Sequence, residues 1–449
     1  MSRLPGGRHR RLVLAAAAVV LCLVAAAAVV VLTGRPGDVS NPNVEFTPVL
    51  CGRNLYLLKN NGSLYSISRR DGKVNWRVKL GTLAAASPAC GHGSVYVVLL
   101  TRDGSSAGRV AALNAANGHV RWSRNLPSRS ESSPLLDSGR LYFGTENGTV
   151  YALRAGDGAV RWTYKAGGAV KGGIALDQGR LIFGDYSGSV TAIRRTDGSR
   201  IWSTGTSGGA FGLRSGQFYS TPAVAYGRVY IGNTDGFVYS FAARDGTLAW
   251  RHRTSAYVYS SPAISDVLGG TVYAGSYDGN LYAFNARSGA VRWVHNARGK
   301  ISGSPVVIGD MVFYSNLAAK STVALGAATG KVMWSLGSGA FNPAISDGTR
   351  LYVNGYSTLY MLAEKGRRTD GTLTLTAKRR LRNQRRAAAQ RKQAAKVKRR
   401  VHAILDMRRR HIKVCFRGGH GKRTCRLPNP PVCFTRKNGE LVCRSRKGG

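Results

Sequence analysis

The chain has 449 residues, 57 of them glycine, and a formal net charge of +45 at pH 7. This length is too great for one ordinary small domain. Glycine-rich segments between β-branched and aromatic runs indicate many short strands rather than helices. The charge is uneven, because residues 367–449 hold 27 Lys/Arg and only 3 Asp/Glu. The basic tail is therefore a segment distinct from the rest of the chain.

An uncharged apolar run of 21 residues, 12–32, follows an 11-residue stub with four arginines. As a helix, this run would span roughly 30 Å, the thickness of a bilayer core. Since only Arg35 follows closely, the positive-inside rule places the stub (1–11) in the cytoplasm and later residues outside. The sequence thus predicts a single-pass signal anchor in the cell membrane, then a linker over 33–46; a cleaved signal peptide is the alternative.

All seven tryptophans end a Gly-x-x-x-Trp motif. The pairs are Gly72 and Trp76, Gly118 and Trp122, Gly158 and Trp162, Gly198 and Trp202, Gly246 and Trp250, Gly289 and Trp293, and Gly330 and Trp334. Successive tryptophans lie 46, 40, 40, 48, 43 and 41 residues apart. A repeat of this length with four strand-like runs per unit is typical of a β-propeller blade.

The motif fades in the last unit, where Leu375 lies 41 residues after Trp334, in the position that tryptophan takes elsewhere. We therefore predict an eight-bladed propeller over 47–376 with a degenerate last blade; seven blades are the alternative. The Asn-Val-Glu-Phe segment near residue 45 is a second source for the last outer strand. Most units open with Ser, Thr or Asn before Pro, which suits the start of a strand.

These repeats closely resemble the pyrroloquinoline-quinone-type (PQQ-like) β-propeller repeat over about residues 47–376, which implies an all-β fold. This family includes quinoprotein dehydrogenases and the propeller lipoprotein of the outer-membrane barrel assembly machinery (BamB). The resemblance implies that each motif tryptophan lies on an outer strand and packs between neighbouring blades. A large ring with one N–H donor suits that role. Function is not implied by the fold, because sites are built separately on each fold.

The resemblance implies that a quinoprotein dehydrogenase would need an aromatic floor for the quinone, a catalytic Asp and Ca²⁺ ligands. Here the repeat uses every tryptophan, so none is left to form the floor. The sequence also lacks the adjacent cysteine pair that, by the same resemblance, often forms a disulfide in these enzymes. Aspartates in the turns, such as Asp71 and Asp245, most often cap their own turns. We therefore expect a non-catalytic protein with no metal and no cofactor; an oxidoreductase that uses PQQ and Ca²⁺ is the alternative, and an envelope sensor is a further one.

Loops that join the outer strand of one blade to the first strand of the next converge on one face, and loops held by a rigid scaffold commonly carry function. The candidate binding residues on these loops are Arg129, Lys171, Arg214, Tyr257, Tyr259 and Lys300, with Glu131, Phe218, Tyr219 and Phe341 beside them. We expect a basic, aromatic-lined face that binds a protein segment or an anionic polymer. Solvated connectors without a binding role are the alternative.

The tail is predicted to form a basic helix or disordered linker over 377–410 and two hairpins over 411–449. Each hairpin has nine residues between its cysteines around a turn that ends in Gly, which predicts the disulfides Cys415–Cys425 and Cys433–Cys443. A four-cysteine zinc site is the alternative.

Cys51 and Cys90 hold similar places in the first two units, so the sequence leaves open an inter-blade disulfide or two buried thiols. So basic a tail is expected to bind polyanions in a salt-dependent way. Outside a cell these would be anionic wall polymers or lipid; nucleic acid is expected only if the predicted topology is wrong.

Overall fold

The computed structural model describes residues 29–32, 46–206, 216–339, 341–355 and 358–363, residue 389, and four short strands between 414 and 444. The chain divides into two compact units, Met1–Lys365 with Thr369–Gly371, and Gly366–Arg368 with Thr372–Gly449. The described strands of the first unit form eight four-stranded antiparallel sheets. The predicted all-β, eight-bladed propeller is therefore confirmed, and the seven-bladed alternative is wrong.

Each blade runs from the centre of the ring outward, and the first strands of neighbouring blades contact one another. The first strands are Val49–Cys51, Ala89–Gly91, Leu135–Asp137, Ala175–Asp177, Ala223–Ala225, Ala263–Ser265, Val306–Ile308 and Ala344–Ser346. The second strands are Asn54–Leu58, Ser94–Leu99, Arg140–Gly144, Arg180–Gly184, Arg228–Gly232, Thr271–Gly275, Met311–Asn316 and Arg350–Asn354. A short 3₁₀ helix, Val267–Gly269, precedes the second strand of blade 6.

The third strands are Ser63–Ser68, Arg109–Asn114, Thr149–Arg154, Ser189–Arg194, Phe237–Ala242, Asn280–Asn285, Ser321–Gly326 and Leu359–Ala363. The outer strands of blades 1 to 7 are Val74–Lys79, Val120–Asn125, Val160–Lys165, Arg200–Gly205, Leu248–Arg253, Val291–Asn296 and Val332–Leu336. Second and third strands are mostly buried, whereas outer strands are largely exposed. The core therefore lies between adjacent blades.

The eighth blade takes its outer strand from the other end of the chain. Val29–Leu32 pairs antiparallel with the third strand of blade 8, and Val30 lies opposite Met361. In blade 7 the equivalent third-strand residue, Ala324, lies opposite Trp334, so Val30 holds the register position of the tryptophan. The N-terminal strand thus closes the ring.

This closure corrects two expectations. The segment near residue 45 does not supply the outer strand, and the predicted membrane span 12–32 is wrong at its end, since Val29–Leu32 is a strand. A short run of Val and Leu suits a buried strand as well as a helix, which is why hydropathy alone did not separate them. Residues 12–28 and Leu375 lie outside the described residues. Within the described part, no helix is both long and apolar enough to cross a membrane.

The Gly-x-x-x-Trp motif joins neighbouring blades. The Trp Nε1 of each of blades 1 to 6 donates to a backbone carbonyl of the following blade, as from Trp122 to Ala155 at 2.9 Å and from Trp250 to Ala286 at 3.0 Å. The motif glycine of the following blade lies on the same ring: a Cβ on Gly158 would stand 2.6 Å from the ring of Trp122. The tryptophans of blades 1 to 6 thus lie in contact with the following blade, the position that the resemblance implies.

Three further contacts stabilise the ring. The residue before Pro accepts a hydrogen bond from the preceding blade, as when the Thr221 amide donates to Ser261 Oγ at 2.8 Å. Cys51 and Cys90 form a disulfide between blades 1 and 2, which settles the open alternative. At the closure, Arg69 of blade 1 donates to Asp347 of blade 8 at 2.6 Å. Burial raises the pKa of Asp347, but the hydrogen bonds it accepts outweigh burial and hold that pKa below its usual value.

The second unit contains two hairpins, Val414–Arg417 with Arg423–Arg426 and Val432–Thr435 with Leu441–Arg444. Their registers place Cys415 opposite Cys425 and Cys433 opposite Cys443, which is the pairing that the sequence predicts. The two disulfides themselves stay predictions. The predicted helix or linker over 377–410 lies outside the described residues, apart from residue 389.

Candidate functional site

One face of the ring, which we call the loop face, is built from two kinds of segment. These are the loops from each outer strand to the next first strand, and the turns between second and third strands. A backbone hydrogen bond ties each turn to a loop, as from Tyr186 to Ala169 and from Tyr277 to Tyr257, both at 2.9 Å. Side chains from both segments therefore meet at the centre of this face.

A cavity of about 650 Å³ opens at the centre of the loop face. It is lined by residues from all eight blades, mostly small hydroxyl residues and glycines with a few large side chains. The large or charged lining residues are Phe46, Glu131, Lys171, Tyr219, Tyr259, Tyr277 and Phe341. Its size and mixed lining suit a small ligand or a few residues of a peptide.

Four tyrosines form a continuous row along the side of blades 4 to 6, and we call Tyr186, Tyr219, Tyr259 and Tyr277 the tyrosine arc. Ring centroids are 5.6 Å apart for Tyr186 and Tyr219, 5.5 Å for Tyr219 and Tyr259, and 4.8 Å for Tyr259 and Tyr277. Tyr257, 53% exposed, packs edge-on against Tyr259. Such tilted pairs stabilise one another, so the arc is a fixed aromatic surface.

Lys171 lies at one end of the tyrosine arc within a paired charge cluster. Its Nζ is 2.7 Å from Glu131 and 2.9 Å from Glu146, and it lies over the rings of Tyr186 and Tyr219. The Tyr219 hydroxyl donates to the other oxygen of Glu131 at 2.6 Å. Burial raises the pKa of Glu131, but hydrogen bonds from Lys171 and Tyr219 outweigh burial and lower that pKa. The opposite charges in this cluster therefore neutralise one another, and the cluster packs against one end of the tyrosine arc.

The other predicted binding residues divide into three groups. Tyr257, Tyr259 and Lys300 lie along the arc, and the Lys300 ammonium stands 5.4 Å from the ring centre of Tyr277. Arg129 lies at its edge, 3.6 Å from Glu146. Arg214 lies outside the described residues.

Phe218 is fully buried and packs against Tyr239, so placing it with the binding residues was wrong. The sequence reasoning also missed Tyr186, Tyr277 and Glu146. They share one repeat position, two residues before the turn glycine, where other blades carry Asn60 or Thr234. Variation at this position between otherwise similar repeats was the signal that could have identified them.

The part of the loop face that the structure describes is aromatic but not basic. The described loops and turns carry seven Lys/Arg and six Asp/Glu, so their charges nearly balance. The expected basic character is therefore not seen on the described part of this face. These described segments therefore offer aromatic surface and hydrogen-bonding groups rather than net charge.

The four-stranded sheets, their closure and the docking of six motif glycines on the preceding tryptophan define an eight-bladed PQQ-like propeller. A family model described as outer membrane protein assembly factor BamB matches residues 60–212, 165–369 and 237–447. The chain belongs to this family.

A curated relative is the outer membrane protein assembly factor BamB of Yersinia pestis, 30% identical over 101 residues, which are 21% of this chain and 24% of that protein. The chain thus spans about a quarter of the length of the curated relative that it matches.

Two solved structures share the architecture. BamB from Moraxella catarrhalis is 20% identical, with a TM-score of 0.61, over 72% of this chain and 97% of that one. The quinohemoprotein alcohol dehydrogenase ADHIIG from Pseudomonas putida HK5 is 15% identical, with a TM-score of 0.58, over 74% and 75%. At these identities the likeness shows the fold alone, because one fold hosts many functions.

Proposed function

We propose that the protein is a non-catalytic scaffold that binds an extended protein segment on its loop face. In this proposal the apolar run before Val29 anchors the chain in the cell membrane and the propeller lies outside the cytoplasm. The observation that carries the proposal is the tyrosine arc at the rim of an open cavity. The description of the matched family, an assembly factor, is in keeping with a role exercised by contact with other proteins.

Aromatic contact with balanced charge favours a protein segment over an anionic polymer at the loop face. Tyrosine offers a large, rigid contact area with a polar tip and is enriched at protein interfaces. The hydroxyl groups and glycine backbone that line the cavity can hydrogen-bond to peptide groups. The basic tail, in contrast, has the charge to associate with anionic wall polymers or lipid.

The charged groups of the cavity are poorly suited to catalysis. The low pKa of Glu131 makes its carboxylate a weak base. Burial lowers the pKa of Lys171, but its hydrogen bonds to Glu131 and Glu146 raise that pKa above its usual value, so the amine stays protonated. PQQ carries three carboxylates, and Ca²⁺ needs several oxygen ligands. The described cavity residues do not fit this pair, because the one carboxylate and the one cation of the lining already bind each other.

The test is photo-crosslinking in cells that make the protein. A photoreactive phenylalanine analogue replaces Tyr257, 53% exposed on the loop face, or Tyr226, 40% exposed on a turn of the opposite face. We expect a discrete crosslinked protein from position 257 and none from position 226. Equal products from both positions, or no product from position 257 in a folded and abundant variant, would refute the proposal.

A further inference from the structure

Among the described outer strands, those of blades 6 and 7 each expose two large apolar side chains, whereas those of blades 1 to 5 expose one each. Val332 and Met333 of blade 7 are 58% and 63% exposed, and Val291 and Val294 of blade 6 are 41% and 48% exposed. The residue before the motif tryptophan is arginine in blades 2, 3 and 6, but it is Met333 in blade 7. Adjoining apolar side chains on a surface commonly mark a contact site.

The start of the outer strand of blade 7 packs against blade 6, and blade 7 packs in turn against blade 8. A Cβ on Gly330, two residues before Val332, would stand 2.8 Å from the ring of Trp293, two residues after Val291. On the other side, Trp334 packs with Leu362 in a shared core cluster. Leu362 is the residue opposite Val29 in the closing strand. The exposed rim therefore adjoins the strand that follows the apolar run.

The ends of the strands place this rim on the side of the ring away from the loop face. Third strands run away from the loop face, so each outer strand begins at the opposite end and runs back. Val332 and Val291 are the first residues of their outer strands, and Val29 begins that of blade 8. The 17 residues 12–28 lead directly into Val29 with no polar spacer. A 17-residue helix covers about 25 Å, somewhat less than a bilayer core of roughly 30 Å.

We infer that the outer rim of blades 6 to 8, at the end away from the loop face, rests on the lipid bilayer. This inference relies on the proposed anchor, because a span of that length without a spacer holds Val29 at the membrane surface. The adjacent Val332 and Met333 then insert among the lipids, and Lys331 reaches the phosphate groups as exposed lysines do at such surfaces. The loop face is thereby turned away from the membrane, where a protein partner has access to it.

The test uses the full chain reconstituted into vesicles of phosphatidylcholine and phosphatidylglycerol. An environment-sensitive fluorescent amino acid replaces Met333, or Ile201, which holds the same repeat position in blade 4, opposite blade 8, and is 38% exposed. We expect lipids with a spin label near the headgroup to quench the probe at position 333 at least twofold more than the probe at position 201. Flotation with the vesicles is measured on the same samples.

The outcomes separate the two proposals. A chain that floats but shows equal quenching at both positions overturns the rim contact and leaves the anchor standing. A chain that does not float overturns the anchor, and the rim contact with it. Tryptophan emission of each labelled protein verifies folding, since the motif tryptophans are held between blades only in the closed ring.

Discussion

The docking of glycine on tryptophan between blades can be measured with three single substitutions in blades 3 and 4. Gly158 has a positive φ of 71°, and a Cβ there would stand 2.6 Å from the ring of Trp122. Gly179 has a similar φ of 80° but nothing within 4 Å of its Cβ position. Gly156 has open space and an ordinary backbone. Alanine at these three sites thus separates packing from backbone strain.

The expected losses of unfolding free energy follow from this geometry. Gly156→Ala should change stability by no more than about 0.5 kcal/mol. Gly179→Ala should cost about 1 to 2 kcal/mol, the penalty for a left-handed residue with a Cβ. Gly158→Ala adds overpacking against Trp122 of about 1 to 3 kcal/mol, for a total of about 2 to 5 kcal/mol. Equilibrium unfolding in urea, followed by tryptophan fluorescence, measures all three. Equal losses for Gly158→Ala and Gly179→Ala would show that the glycine does not serve the blade interface.

Three other predictions concern the charge cluster, the ring closure and the disulfide. Lys171→Met removes the cation that pairs with the Glu131 carboxylate and should lower the free energy of unfolding by about 1 to 3 kcal/mol. Adding Glu131→Gln to this variant should restore part of the lost stability, as measured by urea unfolding. The pKa of Asp347 is depressed on folding, so its stabilising contribution is complete above about pH 4 and is lost as the pH falls through the folded-state pKa. The acid-induced loss of stability should therefore be smaller in Asp347→Asn, and unchanged acid sensitivity would contradict this. Replacing both Cys51 and Cys90 by Ser opens a loop with a sequence separation of 39 and should cost about 4 kcal/mol in guanidinium unfolding; no loss would mean that the closed ring holds these blades without the bond.

The blades were predictable from the sequence because each repeat carries its own local signals. Turn glycines, alternating apolar residues and a tryptophan at fixed spacing recur in seven units, so one unit supports the interpretation of the others. The partner of each tryptophan was predictable only as a neighbouring blade. The carbonyl that accepts from Trp250, at Ala286, lies 36 residues along the chain and is identified only by the folded ring.

The ring closure could not be predicted because it depends on pairing between distant parts of the chain. Val29–Leu32 lies more than 300 residues from its partner strand Leu359–Ala363, and nothing local in the sequence relates the two. Hydropathy supports a membrane span and a buried strand equally for such a run. Only the need to cover the third strand of blade 8 distinguishes them, because an uncovered strand edge invites pairing with another chain.

Part of the candidate site could be predicted from the sequence and part could not, and the difference between the two parts has a physical cause. Loop residues such as Lys171 and Tyr259 were found because the propeller topology brings those loops together. Tyr186 and Tyr277 lie in turns that were interpreted as structural, because their neighbours cap the turn with Asp or Gly. In a repeat protein the residues that recur in every blade form the packing contacts between blades. The positions that differ between blades are free of that role, so the tyrosine arc could form there without any loss of packing.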